Sequence, residues 1–311
     1  MTWDRVERWV GADNLARLAE KRVGVVGLGS GGSFAALSLA MSGVRQFVLI
    51  DPDVLEPTNI PRHAADRRYL GWNKAEAVAD LIRQRSPDAA IDVRPTAFES
   101  QPDALAGLDM LVVGVDHENA KYRLNQRCLD ARLTAVYAGV YERGEGGDAV
   151  IIRPYAGPCY ACWAEELRAG AALANAVDAD GELDYGLIGA SGTLEGEPGL
   201  WLHVVRIASA QADIALNELL IGTAIYRALP GNTVVMANTT LEIVPGEITL
   251  PYGAEWFAIA RNPDCLVCGG ADTRTLSLHD LLSSSDATDA TESSDSTDST
   301  DPALTLKDER P

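Results

Sequence analysis

Two Cys-x-x-Cys pairs, Cys159/Cys162 and Cys265/Cys268, lie far apart in the chain. Four thiolates complete a tetrahedral zinc site without any other residue type, and such a closed site leaves no position for a reactive water. Zinc held there would be structural, pinning the C-terminal part of the chain to its middle. A redox disulfide within either pair is the alternative chemistry for this spacing. The fifth cysteine, Cys128, sits in Asn125-Gln126-Arg127-Cys128-Leu129, inside a helical stretch. Facing a core, such a thiol has a raised pKa and little nucleophilicity.

A second motif precedes these pairs. Gly27-Leu28-Gly29-Ser30-Gly31-Gly32 follows the apolar run Val23–Val26. Gly27, Gly29 and Gly32 fit Gly-x-Gly-x-x-Gly: the first glycine allows a tight turn, the second lets phosphate approach the backbone, and the third lets helix and strand pack closely. Asp51 ends the next apolar run, Phe47–Ile50, where a carboxylate accepts hydrogen bonds from ribose hydroxyls. Asn59 and Arg62 follow, and Lys74 opens the next helical segment. Arg62 and Lys74 together could hold a triphosphate, because charge-assisted bonds to phosphate need paired donors. His63, His117, His203 and His279 show neither metal spacing nor a partner serine, so a hydrolase triad is unsupported. His63 and His117 each adjoin a proposed nucleotide residue and could touch phosphate, but read first as partly exposed packing residues.

The elements that must position these groups are strands and helices in alternation. Val23–Val26, Phe47–Ile50 and Met110–Val113 are continuous apolar runs, and Phe34–Met41, Lys74–Arg85 and Asn119–Arg132 read as helices. This predicts an α/β fold: a doubly wound, Rossmann-like, mostly parallel sheet covered on both faces. After Tyr137 the pattern changes, and Val150–Ile152, Thr233–Met236, Leu241–Val244 and Ile248–Leu250 predict antiparallel strands that close a mixed sheet. Leu202–Ile221 has helical periodicity, and Glu165–Leu200, rich in Ala, Gly and Asp, reads as a mobile crossover. The expected organisation is an N-terminal helical arm over 1–22, a nucleotide-binding half over 23–136, a crossover, zinc and antiparallel half over 137–270, and a tail over 271–311.

Composition excludes several classes. The formal net charge of -19 opposes a general nucleic-acid binder, which needs surplus cations to displace phosphate counterions. Part of that charge lies in the Ser-, Thr- and Asp-rich stretch Ser283–Pro311, where eight acidic residues face only Lys307 and Arg310. Such a segment is expected to be disordered and solvated, or to act as an acidic recruitment arm. No run is long enough for a membrane span, and the charged first thirty residues do not read as a signal peptide. With metal-type cysteine spacing, the reducing cytoplasm is the expected compartment.

From Arg5 to Cys268 the ordered set of motifs resembles the ThiF/MoeB/HesA adenylyltransferases, bacterial relatives of the ubiquitin-activating enzymes. The matching stretches are Arg5-Val6-Glu7-Arg8, Gly27–Gly32, Asp51 through Asn59 to Arg62, and Trp72-Asn73-Lys74-Ala75. They continue with Val115-Asp116, Arg123 and Asn125 on the following helix, Pro158–Cys162 and Cys265–Cys268. The resemblance implies that a carboxylate attacks the α-phosphate of ATP, giving an acyl adenylate and pyrophosphate. The carboxylate is typically the C-terminal glycine of a ubiquitin-like or sulfur-carrier protein, occasionally of a peptide.

By position, Asp51 would hold the ribose, Asn59, Arg62 and Lys74 the phosphates, and Asp116 the magnesium ion. Arg8 would match the arginine that family dimers insert into the neighbouring subunit's site. Asp116 has an alternative reading as the cap of the helix beginning near Asn119. Arg8 and the apolar Leu200-Trp201-Leu202 stretch together predict a homodimer. Family members that form a thioester place a cysteine in the crossover, yet Trp163–Gly199 contains none. That points to adenylation alone, with a sulfurtransferase or conjugating enzyme completing the transfer. A NAD-dependent oxidoreductase would use the same loop and Asp51 but leaves Asn59, Arg62, Lys74 and both cysteine pairs unexplained. A nucleotide-binding scaffold without catalysis is the third reading.

Overall fold

A computed structural model describes residues 3–175, 199–244 and 246–269; the acidic tail and most of the crossover lie outside them. Two short helices, α1 (Asp4–Val10) and α2 (Ala12–Glu20), lead into β1 (Arg22–Val26), α3 (Ser30–Met41) and β2 (Gln46–Ile50). Then come α4 (Lys74–Arg85), β3 (Ala90–Arg94), β4 (Met110–Val113), α5 (Glu118–Ala131), β5 (Ala135–Val140) and β6 (Gly146–Ile152). The remaining elements are α6 (Tyr160–Asn175), α7 (Trp201–Leu219), β7 (Thr233–Ala237), β8 (Leu241–Val244), β9 (Glu247–Thr249) and β10 (Ala254–Phe257).

Eight strands form one sheet in the order β10-β7-β6-β5-β4-β1-β2-β3. Strands β3, β2, β1, β4 and β5 are parallel, whereas β6, β7 and β10 extend the sheet antiparallel. Beyond their first residues, Arg22 and Gln46, the central strands β1 and β2 carry only apolar residues and glycine because both faces are covered. Val23 and Val25, Phe47 and Leu49, and Met110 and Val112 enter one core layer with α3, α4 and α7. Val26, Val48, Ile50, Leu111 and Val113 enter the opposite layer with residues of α5 and α6.

The α/β architecture expected from the sequence is therefore present. One detail differs: β8 and β9 pair only with each other, as a separate two-stranded sheet, instead of joining the main one. Among the described residues no helix is long and apolar enough to cross a membrane.

The chain order reverses around β1, which lies between β2 and β4. At such a switch point the connections leave the sheet in opposite directions and open a crevice beyond the carboxyl ends of the strands.

Candidate functional site

Gly27 follows β1 at φ +85°, a conformation that a side chain disfavours. A Cβ there would lie 2.7 Å from the Gly114 carbonyl carbon, and one on Gly32 would collide with the Gly27 carbonyl oxygen. Both glycines thus let β1, β4 and the start of α3 approach closely. At Gly29 a Cβ would meet nothing within 4 Å. A side chain there would point into the cleft that Gly29 lines, which suits the approach of a ligand.

Asp51, at the end of β2, is buried, and each carboxylate oxygen accepts a backbone hydrogen bond: Oδ2 from Leu28 N at 2.5 Å and Oδ1 from Asp53 N at 2.8 Å. Burial raises its pKa, opposed by those two N–H groups and by Lys74. The Leu28 carbonyl is held in turn by His63, whose Nε2 lies 2.7 Å away. Because Nδ1 of His63 accepts from Ala65 N at 2.9 Å, Nε2 must carry the proton, and the ring is neutral. Burial lowers its pKa accordingly. The expectation of a partly exposed packing histidine is corrected here: His63 is buried and clamps the glycine loop.

Lys74 opens α4 behind Asn73, whose side-chain oxygen caps the helix by accepting from Ala75 N at 2.8 Å. Asn73 Nδ2 donates to the carbonyls of Asp51, at 2.8 Å, and Asp53, at 3.0 Å. The helix start is thereby fixed against the end of β2. Lys74 Nζ pairs with Asp53 at 2.7 Å and is only 13% exposed. Arg62 ends a 3-10 turn, Ile60–Arg62, and also lines the crevice. Across from it Asp116 follows β4 with its side chain 94% exposed. It does not cap α5; His117 occupies that position and makes no side-chain cap bond.

Gly27, Gly29, Asp51, Arg62, Lys74 and Asp116 line a single cleft of about 1010 Å³. Three residues proposed from the sequence do not: Gly32, which packs against the Gly27 carbonyl, Asn59 and Arg8. Asn59 turns its side-chain oxygen to Glu56 N at 2.9 Å, and Arg8 is exposed on α1 in a 2.6 Å ion pair with Asp4. The inner wall holds polar groups that the sequence did not single out. Lys121, buried on α5, donates to Glu118 at 3.1 Å, and the Tyr160 hydroxyl donates to the same carboxylate at 3.0 Å. Asp148 is buried on β6, and Gln211 on α7 donates to the Val113 and Val136 carbonyls at 2.8 and 2.9 Å. Their signal was a polar residue inside an otherwise apolar strand or helix.

The four paired cysteines converge, all buried, with sulfurs within 4.8 Å of one another. The Cys159–Cys162 and Cys159–Cys265 separations are 3.8 Å, and Cys162–Cys268 is 3.4 Å. A tetrahedral zinc with bonds of about 2.3 Å places its sulfurs about 3.8 Å apart, so the donor set fits the ion. None of the four is in a disulfide. Cys128 is buried apart from them, and burial pushes its thiol up to about 12.

The chain belongs to the ThiF family, whose model matches residues 4–243. It is 29% identical to the SAMP-activating enzyme E1 of Haloferax volcanii over 282 residues, 88% of this chain and 90% of that protein. It is 27% identical to ubiquitin-like modifier-activating enzyme 5 of Arabidopsis thaliana and 28% to the adenylyltransferase and sulfurtransferase UBA4 of Candida albicans. These two matches take in 48% and 47% of this chain but only 39% and 34% of the relatives. The crystal structure of E. coli MccB with ATP shares the fold, with a TM-score of 0.61 at 19% identity over 83% of this chain and 69% of that one.

Proposed function

We propose that this adenylyltransferase activates the C-terminal carboxylate of a ubiquitin-like or sulfur-carrier protein, or of a peptide, as an acyl adenylate. A carboxylate oxygen attacks the α-phosphorus of ATP, the bond from that phosphorus to the bridging oxygen breaks, and pyrophosphate leaves. The observation that carries this reading is the convergence of Arg62, Lys74 and Asp116 with the glycine loop and Asp51 in one cleft. A dinucleotide site would use the loop and Asp51 but has no need of two cations and a facing carboxylate.

In this reading the Gly29 backbone lies against phosphate, and Asp51, with lone pairs left after its two backbone bonds, accepts from the ribose. Arg62 and Lys74 neutralise charge that grows on the phosphate oxygens, Lys74 exchanging its Asp53 partner for the ligand. Asp116 would hold magnesium, which when bound supplies further charge neutralisation; a single exposed carboxylate suits an ion that keeps most of its waters. Asn59 would have to release its bond to Glu56 N to join the phosphate contacts. Arg8 is free of the cleft of its own chain and would serve a neighbouring subunit in a homodimer, where the exposed Leu200 and Leu202 supply apolar contact.

The cysteine cluster would bind zinc structurally. With Cys128 buried and no cysteine in Trp163–Gly199, thioester formation passes to a partner, a sulfurtransferase or a conjugating enzyme. The names of the Haloferax and Candida relatives support a carrier-activating role. The test is exchange of labelled pyrophosphate into ATP in the presence of a carrier ending in glycine. Exchange that vanishes in Asp116→Ala fits the proposal, and full exchange in that variant refutes the assigned role of Asp116.

A further inference from the structure

Tyr160 lies between the first two metal-type cysteines and belongs to both sites. Cys159 and Cys162 face the thiolate cluster, while the Tyr160 ring, 1% exposed, forms part of the nucleotide cleft wall. Its backbone N–H donates to Asn125 Oδ1 on α5 at 2.9 Å. Its ring stacks on Tyr137 of β5 at 4.7 Å between centroids and lies 5.1 Å from Trp163. Held from three sides, the ring directs its hydroxyl to Glu118, at 3.0 Å from Oε2 and 3.3 Å from Oε1.

Glu118 is the first residue of α5, two positions after Asp116. No side-chain bond caps this helix end, and the Asp116 carboxylate stands almost fully in solvent. Asp116 joins the end of β4 to the first turn of α5, so the anchoring of that turn at Glu118 limits where its backbone can lie. Tyr160, from α6, anchors the turn by donating to the Glu118 carboxylate, which Lys121 of the same helix as Glu118 also neutralises.

We propose that Tyr160 is a positioning residue for magnesium at Asp116, linking the four-cysteine knuckle to the nucleotide cleft through Glu118. The inference rests on the adenylation reading. A metal in the cluster fixes residues 159–162; that fixes the Tyr160 hydroxyl, which fixes Glu118 and the turn that carries Asp116. A hydrogen bond to a charged acceptor is strong enough to transmit such a constraint.

The test is Tyr160→Phe in the full, zinc-loaded chain, which keeps the ring stacking and removes only the hydroxyl. Binding of ATP is followed calorimetrically across a magnesium titration, without any carrier. The variant should need about tenfold more magnesium for half-maximal ATP affinity, the loss expected for one charge-assisted bond. Its zinc content and magnesium-free ATP affinity should match those of the wild type, which a merely structural role would not predict. An unchanged magnesium requirement overturns the inference. Chelation of zinc supplies the second arm: it should raise the magnesium requirement of the wild type but add little in Tyr160→Phe, and equal increments in both chains overturn the coupling. A wild type that binds no ATP at any magnesium concentration overturns the nucleotide reading itself, a different outcome from either.

Discussion

The Nε2 atom of His63 lies 2.7 Å from the carbonyl oxygen of Leu28, in the middle of the glycine loop. The N–H of the same residue donates to Asp51. One peptide unit on either side of Leu28 is thus held by the segment that follows β2, so the loop's shape is set by the residues that share its ligand.

This arrangement requires a neutral imidazole, because a proton on Nδ1 would face the Ala65 N–H. Burial lowers the pKa of His63 below 6.5, and the nearby Lys74 charge acts in the same direction. The unfolded chain then takes up the proton first, so stability present above pH 6.5 is lost as pH falls from 6.5 through the lower folded value. Urea unfolding should show that decline, and His63→Gln should be less stable at pH 7.5 but flatter in its pH profile. A slope unchanged by the substitution would mean that His63 is not its source.

Two glycines of the same loop should separate folding from binding. Gly32→Ala drives a Cβ into the Gly27 carbonyl and should cost about 3 kcal/mol in urea unfolding, at the upper end for overpacking. Gly29→Ala meets no protein atom within 4 Å, so its unfolding midpoint should stay near that of the wild type while ATP affinity falls. Normal ATP affinity in Gly29→Ala would remove this loop from the phosphate contact.

Lys74 is held by its α4 cap and by Asp53, so truncation should alter the site without disturbing the helix. Lys74→Ala is expected to lower kcat/KM for ATP by about 10- to 100-fold, roughly 1.5–3 kcal/mol of lost charge-assisted bonding. Lys74→Arg should recover little of that, since the planar fork does not reproduce a compact ammonium. Steady-state kinetics at saturating carrier would show a wild-type value if Lys74 served only Asp53.

The sulfur separations predict one zinc per chain by elemental analysis, and Cys265→Ser should release it together with the attachment of the segment around Cys268. Thermal unfolding should drop by several degrees in that variant, and chelation of the wild type should reproduce the drop. Equal midpoints with and without metal would deny the cluster its structural role.

The parallel core was legible because β1, β2 and β4 are buried on both faces and read as unbroken apolar runs. The edge strand β3 was not, since Asp92 and Arg94 pair with each other along Ala90–Arg94 and interrupt the pattern. The start of β6 was hidden for another reason: Gly146, Gly147 and Asp148 carry no strand signal, although a Cβ on Gly147 would strike the Gly139 carbonyl across the ladder. Within the site, the glycines, Asp51 and Lys74 were readable because they sit at element ends with fixed spacing. Tyr160 depends on Asn125 and Glu118 of another element, which no local pattern encodes.

The most direct measurement of the central claim is calorimetric binding of magnesium ATP against NAD to the zinc-loaded protein, with Asp51→Ala and Arg62→Ala alongside. The account predicts that ATP binds, that both substitutions weaken it, and that NAD gives no heat. Preferential binding of NAD, indifferent to Arg62, would contradict the adenylation site and return the cleft to dinucleotide chemistry.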